Sequence, residues 1–117
     1  MFYPVYVSHP YGGKKANKED AALIAAGIDK AQTGEYEIVN PLALLAGAEE
    51  TFSENFITRW AAGILKSCRL VVFCPGWEKS RGCRYEHFIA KRHGIPRIYL
   101  DAEQAEAYRI FAREAAA

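Results

Sequence analysis

Residues 70–74 read Leu-Val-Val-Phe-Cys, an unbroken apolar run of strand length that Pro75-Gly76 brings to a stop. A strand with no polar face must be covered on both sides, which is the condition of a central strand in a parallel sheet layered between helices. From Ser80 the pattern changes to helical spacing and continues to His93, with Gly94 as the stop. A strand running straight into a helix puts its connecting loop at the carboxyl edge of the sheet, where open α/β folds keep their ligand sites. The stretch 74–86 is therefore predicted to carry both the centre of the fold and its polar edge.

The rest of the chain repeats this alternation. Residues 2–8, rich in aromatic and β-branched side chains, read as a strand closed by the turn residues His9-Pro10-Tyr11-Gly12-Gly13. A helix follows from Asn17, with Asp20 at capping-box distance and Ala21, Ile24, Ile28 and Ala31 at helical spacing, and Gly34 ends it. Residues 36–40 form a short strand stopped by Pro41, and the alanine-rich segment to Glu50 is a loop or a short helix. Thr51 and Glu54 make a second capping box before a helix with Phe56, Ile57, Trp60, Ala61, Ile64 and Leu65 on one stripe, ending near Ser67. Residues 96–100 give a fourth strand; Asp101 and Gln104 cap a last helix carrying Tyr108 and Phe111, and Ala115 to Ala117 are a frayed end. This βαβα order predicts one α/β domain over residues 1–117, Rossmann-like or flavodoxin-like, with three layers and a parallel sheet of four to five strands.

Bulk properties narrow the partners. Half of the 117 residues are hydrophobic, which suits a single modest core. Fifteen basic against fourteen acidic residues leave almost no field to attract a nucleic acid polymer. The chain opens on no basic segment followed by an apolar run and has no apolar stretch of about 20 residues, so neither export nor membrane insertion is expected, and a cytoplasmic location is. Cys68, Cys74 and Cys83 are odd in number and lack CxxC spacing, which argues for buried or half-buried thiols rather than a disulfide framework or a zinc site. Cys83 and His87, one helical turn apart, are too few for a metal site and oddly placed for a nucleophile pair. No metal or cofactor is expected.

The chemistry-bearing residues gather around two loops. Glu86 shares a helix face with Cys83 and Ala90, both small, so it points into space that its own helix does not fill; burial there would raise its pKa, whereas a plain surface carboxylate would stay in water. Ser80 is placed to cap the same helix, Gly82 allows close approach to its first amides, and Arg81 or Arg84 adds charge for a phosphate or carboxylate. In the first loop Gly12 and Gly13 permit backbone contact with a sugar or phosphate beside Lys14 and Lys15, although the loop is neither a Walker A sequence nor a full GxGxxG fingerprint. Tyr6 needs a partner for its hydroxyl if buried. Trp77 is a wall for a base or a cover for the sheet end, and Glu78 is a second acid near the motif.

Together, Tyr6-Val7-Ser8-His9-Pro10-Tyr11-Gly12-Gly13, the strand end Val39-Asn40-Pro41, residues 70–78, and Ser80-Arg81-Gly82 leading to Glu86 and Ala90 resemble the nucleoside 2-deoxyribosyltransferase-like superfamily, in particular its small uncharacterised bacterial and phage members, over about residues 2–100. The resemblance implies that Glu86 is the nucleophile and Tyr6 its assistant. It implies that Ser80 holds a 5′-phosphate and that the loop carrying Ser8, His9, Gly12 and Gly13 contacts sugar and phosphate; read from the residues themselves, Arg81 and Gly82 add to the phosphate site, Trp77 is a base-side wall, and Glu78 would stand in for a missing acid. It also implies a homodimer or higher homo-oligomer. Relatives carry an aspartate near the position of Ala61 or Ala62 and often another at Arg69, whereas this chain has no aspartate between Asp29 and Asp101. Two functions are thus in view: processing of the N-glycosidic bond of a nucleoside or nucleotide, by deoxyribosyl transfer or hydrolysis, and a non-catalytic nucleotide-binding or sensing module that has lost its acidic partner.

Overall fold

The computed structural model of the chain describes residues 3–116; the expected strand start at Phe2 and the tail end at Ala117 lie outside them. The elements run β1 (Tyr3–Ser8), α1 (Lys15–Ala31), β2 (Tyr36–Val39), α2 (Pro41–Leu44), α3 (Glu54–Lys66), β3 (Leu70–Phe73), α4 (Arg81–Arg92), β4 (Arg97–Tyr99) and α5 (Ala102–Ala116), with single 3-10 turns at Ala48–Glu50 and Trp77–Lys79. All four strands are parallel, in the order β2-β1-β3-β4. The predicted three-layer α/β architecture is the one adopted, with four strands.

This order decides where a ligand can sit. The chain leaves β1 toward β2 on one side and leaves β3 toward β4 on the other, and right-handed crossovers then send α1 and α4 to opposite faces. α5 joins α1 on one face and α4 packs beside α3 on the other. The loops after β1 and β3 diverge from one point, the place where open α/β folds keep a ligand crevice. Pairing of Tyr6 with Val71 and Ser8 with Phe73 brings the two loops level, and the Cys74 amide donates to the Ser8 carbonyl at 2.9 Å.

Strand alternation distributes the core. Tyr6, Val71 and Phe73 pack with Ala62, Leu65, Ile89 and Ala90 under α3 and α4. Val5, Val7, Val72 and Cys74 pack with Ile24, Ala25 and Ala105 under α1 and α5. A Cβ on Gly27 would lie 2.0 Å from the Tyr108 carbonyl oxygen, so only glycine lets α1 and α5 approach this closely. Among the described residues no helix is long and apolar enough to cross a membrane.

Local details differ from the sequence reading at three places. α1 begins at Lys15 with no side-chain cap; Asn17 instead donates its amide to the Tyr11 carbonyl at 3.0 Å, and Asp20 turns to tertiary partners. Thr51 closes the preceding 3-10 turn through its amide, so Ser53 becomes the cap of α3, its Oγ accepting from the Phe56 amide at 3.2 Å. The broad stripe of α3 splits: Ala61, Ala62 and Leu65 are buried, while Phe56 and Trp60 are about half exposed and pack against each other and Phe52. The expected box at α5 is formed in full, Asp101 Oδ1 accepting from the Gln104 amide at 2.8 Å and Gln104 Oε1 from the Asp101 amide at 2.9 Å. The segment after Pro41 resolves into α2, capped by Asn40, and the 3-10 turn at Ala48–Glu50.

Candidate functional site

Glu86 lies buried where α4 meets the end of β1. Its place on α4 follows from the buried face Cys83, Glu86, Ile89 and Ala90, whose spacing of three and four residues lays that side of the helix on the sheet. β1 meets it with Tyr6 and Ser8, two residues apart and therefore on one face. The Tyr6 hydroxyl donates to Glu86 Oε2 and the Ser8 hydroxyl donates to Oε1 at 2.8 Å. Among the described residues Glu86 is the only buried carboxyl, with 9 % of its surface exposed.

The electrostatics follow from that burial. Loss of water raises the Glu86 pKa from 4.5 to about 7, against the hydrogen bonds from Tyr6 and Ser8, which favour the carboxylate. Tyr6 is itself held well above its ordinary value, first by burial and then by the charge of Glu86 and their hydrogen bond, so it remains a donor. Burial also raises the Cys83 thiol, partly offset by the Ser8 and Ser80 hydroxyls. Cys74 is pushed up to about 12 and Cys68 to about 11, again by burial first. All three cysteines are free, and of the buried and half-buried readings the structure takes the buried one for each.

The second loop supplies the near rim. Ser80 caps α4, its Oγ accepting from the Cys83 amide at 3.3 Å. Arg81 and Gly82 follow on the exposed first turn, and a Cβ on Gly82 would meet open space. Gly76 has φ 88°, which turns the chain into the 3-10 segment carrying Trp77 and the exposed Glu78. Trp77 stacks on the His87 ring with centroids 4.4 Å apart and also packs on Phe73 and Tyr99. His87 hydrogen bonds the Tyr99 hydroxyl at 2.7 Å and is lowered in pKa, first by burial and then by Arg97 and Lys91. It therefore belongs to an aromatic cluster on the β4 side, and no Cys83–His87 pair forms.

The first loop supplies the far rim. Gly12 and Gly13, with φ of 57° and 74°, take the left-handed conformation and face open space. His9 turns from Glu86 to α1: its Nε2 lies 2.8 Å from Asp20 Oδ2, and its side chain is only 6 % exposed. Arg109 of α5 grips the same carboxylate, Nε to Oδ1 at 2.7 Å and a terminal nitrogen to Oδ2 at 3.1 Å. The hydrogen bonds of Arg109 and His9 overcome burial and hold Asp20 below its ordinary pKa. The Tyr11 hydroxyl donates to Glu49 at 3.1 Å, tying this loop to the 3-10 turn before α3.

Tyr6, Ser8 and Glu86 thus meet directly; Gly82 stands one turn before Glu86 on α4 and Ser80 caps that helix, His9 and Trp77 pair with other residues, and Glu78 is exposed. Sequence reasoning missed Asp20, Arg109 and Glu49 as companions of the first loop, since no local pattern links residues 89 positions apart. Two surface hollows, of about 550 and 290 Å3, lie on the α1 and β2 side and include none of the Glu86 cluster. The site is defined instead by its polar convergence at the sheet edge. Ala61 and Ala62 of α3 are buried.

No curated protein and no solved structure matches this chain. Residues 3–99, which take in both loops and Glu86 but stop short of α5, match the domain of unknown function DUF4406, and the chain belongs to that family.

Proposed function

We propose that this crevice processes the N-glycosidic bond of a nucleoside or nucleotide, with Glu86 as the nucleophile. The observation that carries the reading is a buried carboxyl held by two hydroxyl donors at the topological switch point of a parallel sheet. Near neutral pH a group with a pKa of about 7 is about half ionised, so a carboxylate nucleophile is available without a strong base. Tyr6 and Ser8 fix the orientation of both oxygens, and a lone pair left on one of them attacks the anomeric carbon. The carbon–nitrogen bond breaks, its electron pair leaves with the base, and the base takes a proton from solvent. Water or a second base then attacks the same carbon from the vacated face and gives up a proton to solvent, while the carbon–oxygen bond to Glu86 breaks, releasing the carboxylate and retaining configuration. Ser80, Arg81 and Gly82 at the start of α4 hold a 5′-phosphate, with Gly12 and Gly13 opposite.

A second reading, a nucleotide-binding or sensing module without turnover, is favoured by a specific feature. The exposed Glu78 is the acid nearest in sequence to the motif, and buried alanines stand where the resembling family has its aspartate. A base that leaves without general acid help forgoes about 10²- to 10⁴-fold in rate.

The test is to incubate the protein with ribo- and deoxynucleosides and their 5′-monophosphates and to follow free base by chromatography beside Glu86→Gln. Release that vanishes in the variant supports the glycosidic reading and gives the sugar preference. No release from any compound, with binding of a monophosphate retained, moves the assignment to the binding module.

A further inference from the structure

We propose that Arg109 of α5 is a positioning residue for the Glu86 site, acting through Asp20 and His9 to hold the end of β1 so that the Ser8 hydroxyl meets the carboxyl. Glu86 is taken as the working group, as in the proposed function. Ser8 is the last residue of β1 and His9 the first after it, and their side chains take opposite sides: Ser8 donates to Glu86 at 2.8 Å beneath α4, and His9 meets Asp20 at 2.8 Å on the α1 side. The other ring nitrogen, Nδ1, lies 2.7 Å from the Pro10 carbonyl, so the imidazole clamps the peptide that follows the strand. Asp20 is in turn gripped on both oxygens by Arg109. A bidentate guanidinium fixes a carboxylate in angle as well as distance, which a surface lysine would not do. Gly27 sets where Arg109 stands, because its missing Cβ lets α1 seat against the backbone of Tyr108, the neighbouring residue. The chain Arg109, Asp20, His9 is thus a continuous set of hydrogen bonds from the last helix to the residue beside Ser8.

The test follows the Glu86 carboxyl by carbon-13 NMR in protein labelled at glutamate side-chain carboxyls, its signal being the one missing from Glu86→Gln. Tyr6 of β1 and Cys83 of α4 are the other titratable groups that face it. The Ser8 hydrogen bond lowers the Glu86 pKa, so misplacing Ser8 must raise the titration midpoint. Arg109→Met removes a positive charge and Asp20→Asn a negative one, so bare charge effects would move the midpoint in opposite directions. Positioning predicts an upward move in both, by about half a pH unit or more, and a smaller upward move in Arg109→Lys. Opposite moves, or none, would overturn the proposal, and the three variants together keep it decidable if Arg109→Met fails to fold. The titration needs no substrate, so a wild-type protein that releases no base would sink the proposed function and leave this result standing.

Discussion

Replacing Glu86 with glutamine removes a group whose ionisation the fold opposes, and the strength of that opposition sets a pH-dependent stability. Burial lifts the carboxyl from 4.5 to about 7 against the pull of the Tyr6 and Ser8 hydroxyls. Below the unfolded value both states keep the proton, and Glu86 is stabilised fully as a neutral acid. Between the two values the unfolded chain has released the proton while the folded chain retains it, so the unfolded state binds fewer protons and stability falls as pH rises. Above the folded value both are ionised and the loss is complete, about 3 kcal/mol for a shift of this size. Guanidinium unfolding of the wild type and Glu86→Gln, run from about pH 5 to about pH 8, isolates this contribution because the remaining titrating groups are shared. The variant should gain on the wild type by about 2.5 kcal/mol across that window, with most of the change below the folded pKa. A difference that stays flat would refute burial as the dominant influence on Glu86, and a difference of opposite sign would mean that the hydroxyl donors win.

Three further perturbations bear on the same framework. Tyr6→Phe removes the donor to Oε2 and leaves that oxygen without its partner; the Glu86 midpoint in carbon-13 titration should rise further, and base release, where the wild type shows it, should fall by about 10- to 100-fold at neutral pH. Gly27→Ala drives a methyl into the Tyr108 backbone and should destabilise the fold by about 2 kcal/mol or more, measured by urea unfolding, since a carbonyl cannot swing aside as a side chain can. Ser80→Ala removes the cap of α4 at a cost of about 1 kcal/mol in unfolding free energy. Under the proposed function it should also weaken the preference for 5′-monophosphates over nucleosides, as read from competition in the base-release assay.

The architecture was legible because its determinants are local in the chain. The continuous run 70–74 predicted a strand covered on both faces, and β3 is that strand, with Val71, Val72, Phe73 and Cys74 buried. The spacing of Cys83, Glu86 and Ala90 put the three on one helix face but left Glu86 open between a buried and a solvated carboxyl, and the structure buries all three. Asp101 and Gln104 lie within one turn, so their reciprocal cap was visible from spacing alone. Caps failed where chain outside the window competed: Thr51 stayed in its 3-10 turn and Ser53 replaced it, while Asp20 gave up a local role for Arg109. The α3 stripe misled for a related reason. Apolar spacing marks a helix face without saying how much of that face the sheet is wide enough to cover, and Phe56 and Trp60 fell outside the covered part.

Alternation of apolar runs and helical segments by itself determined the parallel α/β layering and the position of the polar edge after β3, because each depends on backbone periodicity over a few residues. Tertiary structure alone decided the strand order that brings β1 beside β3, the two hydroxyls on Glu86, the capture of His9 by Asp20 and Arg109, and the seating of Trp77 on His87. Those contacts join residues far apart in the chain, and burial, which sets the charge state of Glu86, exists only once both layers have closed over it.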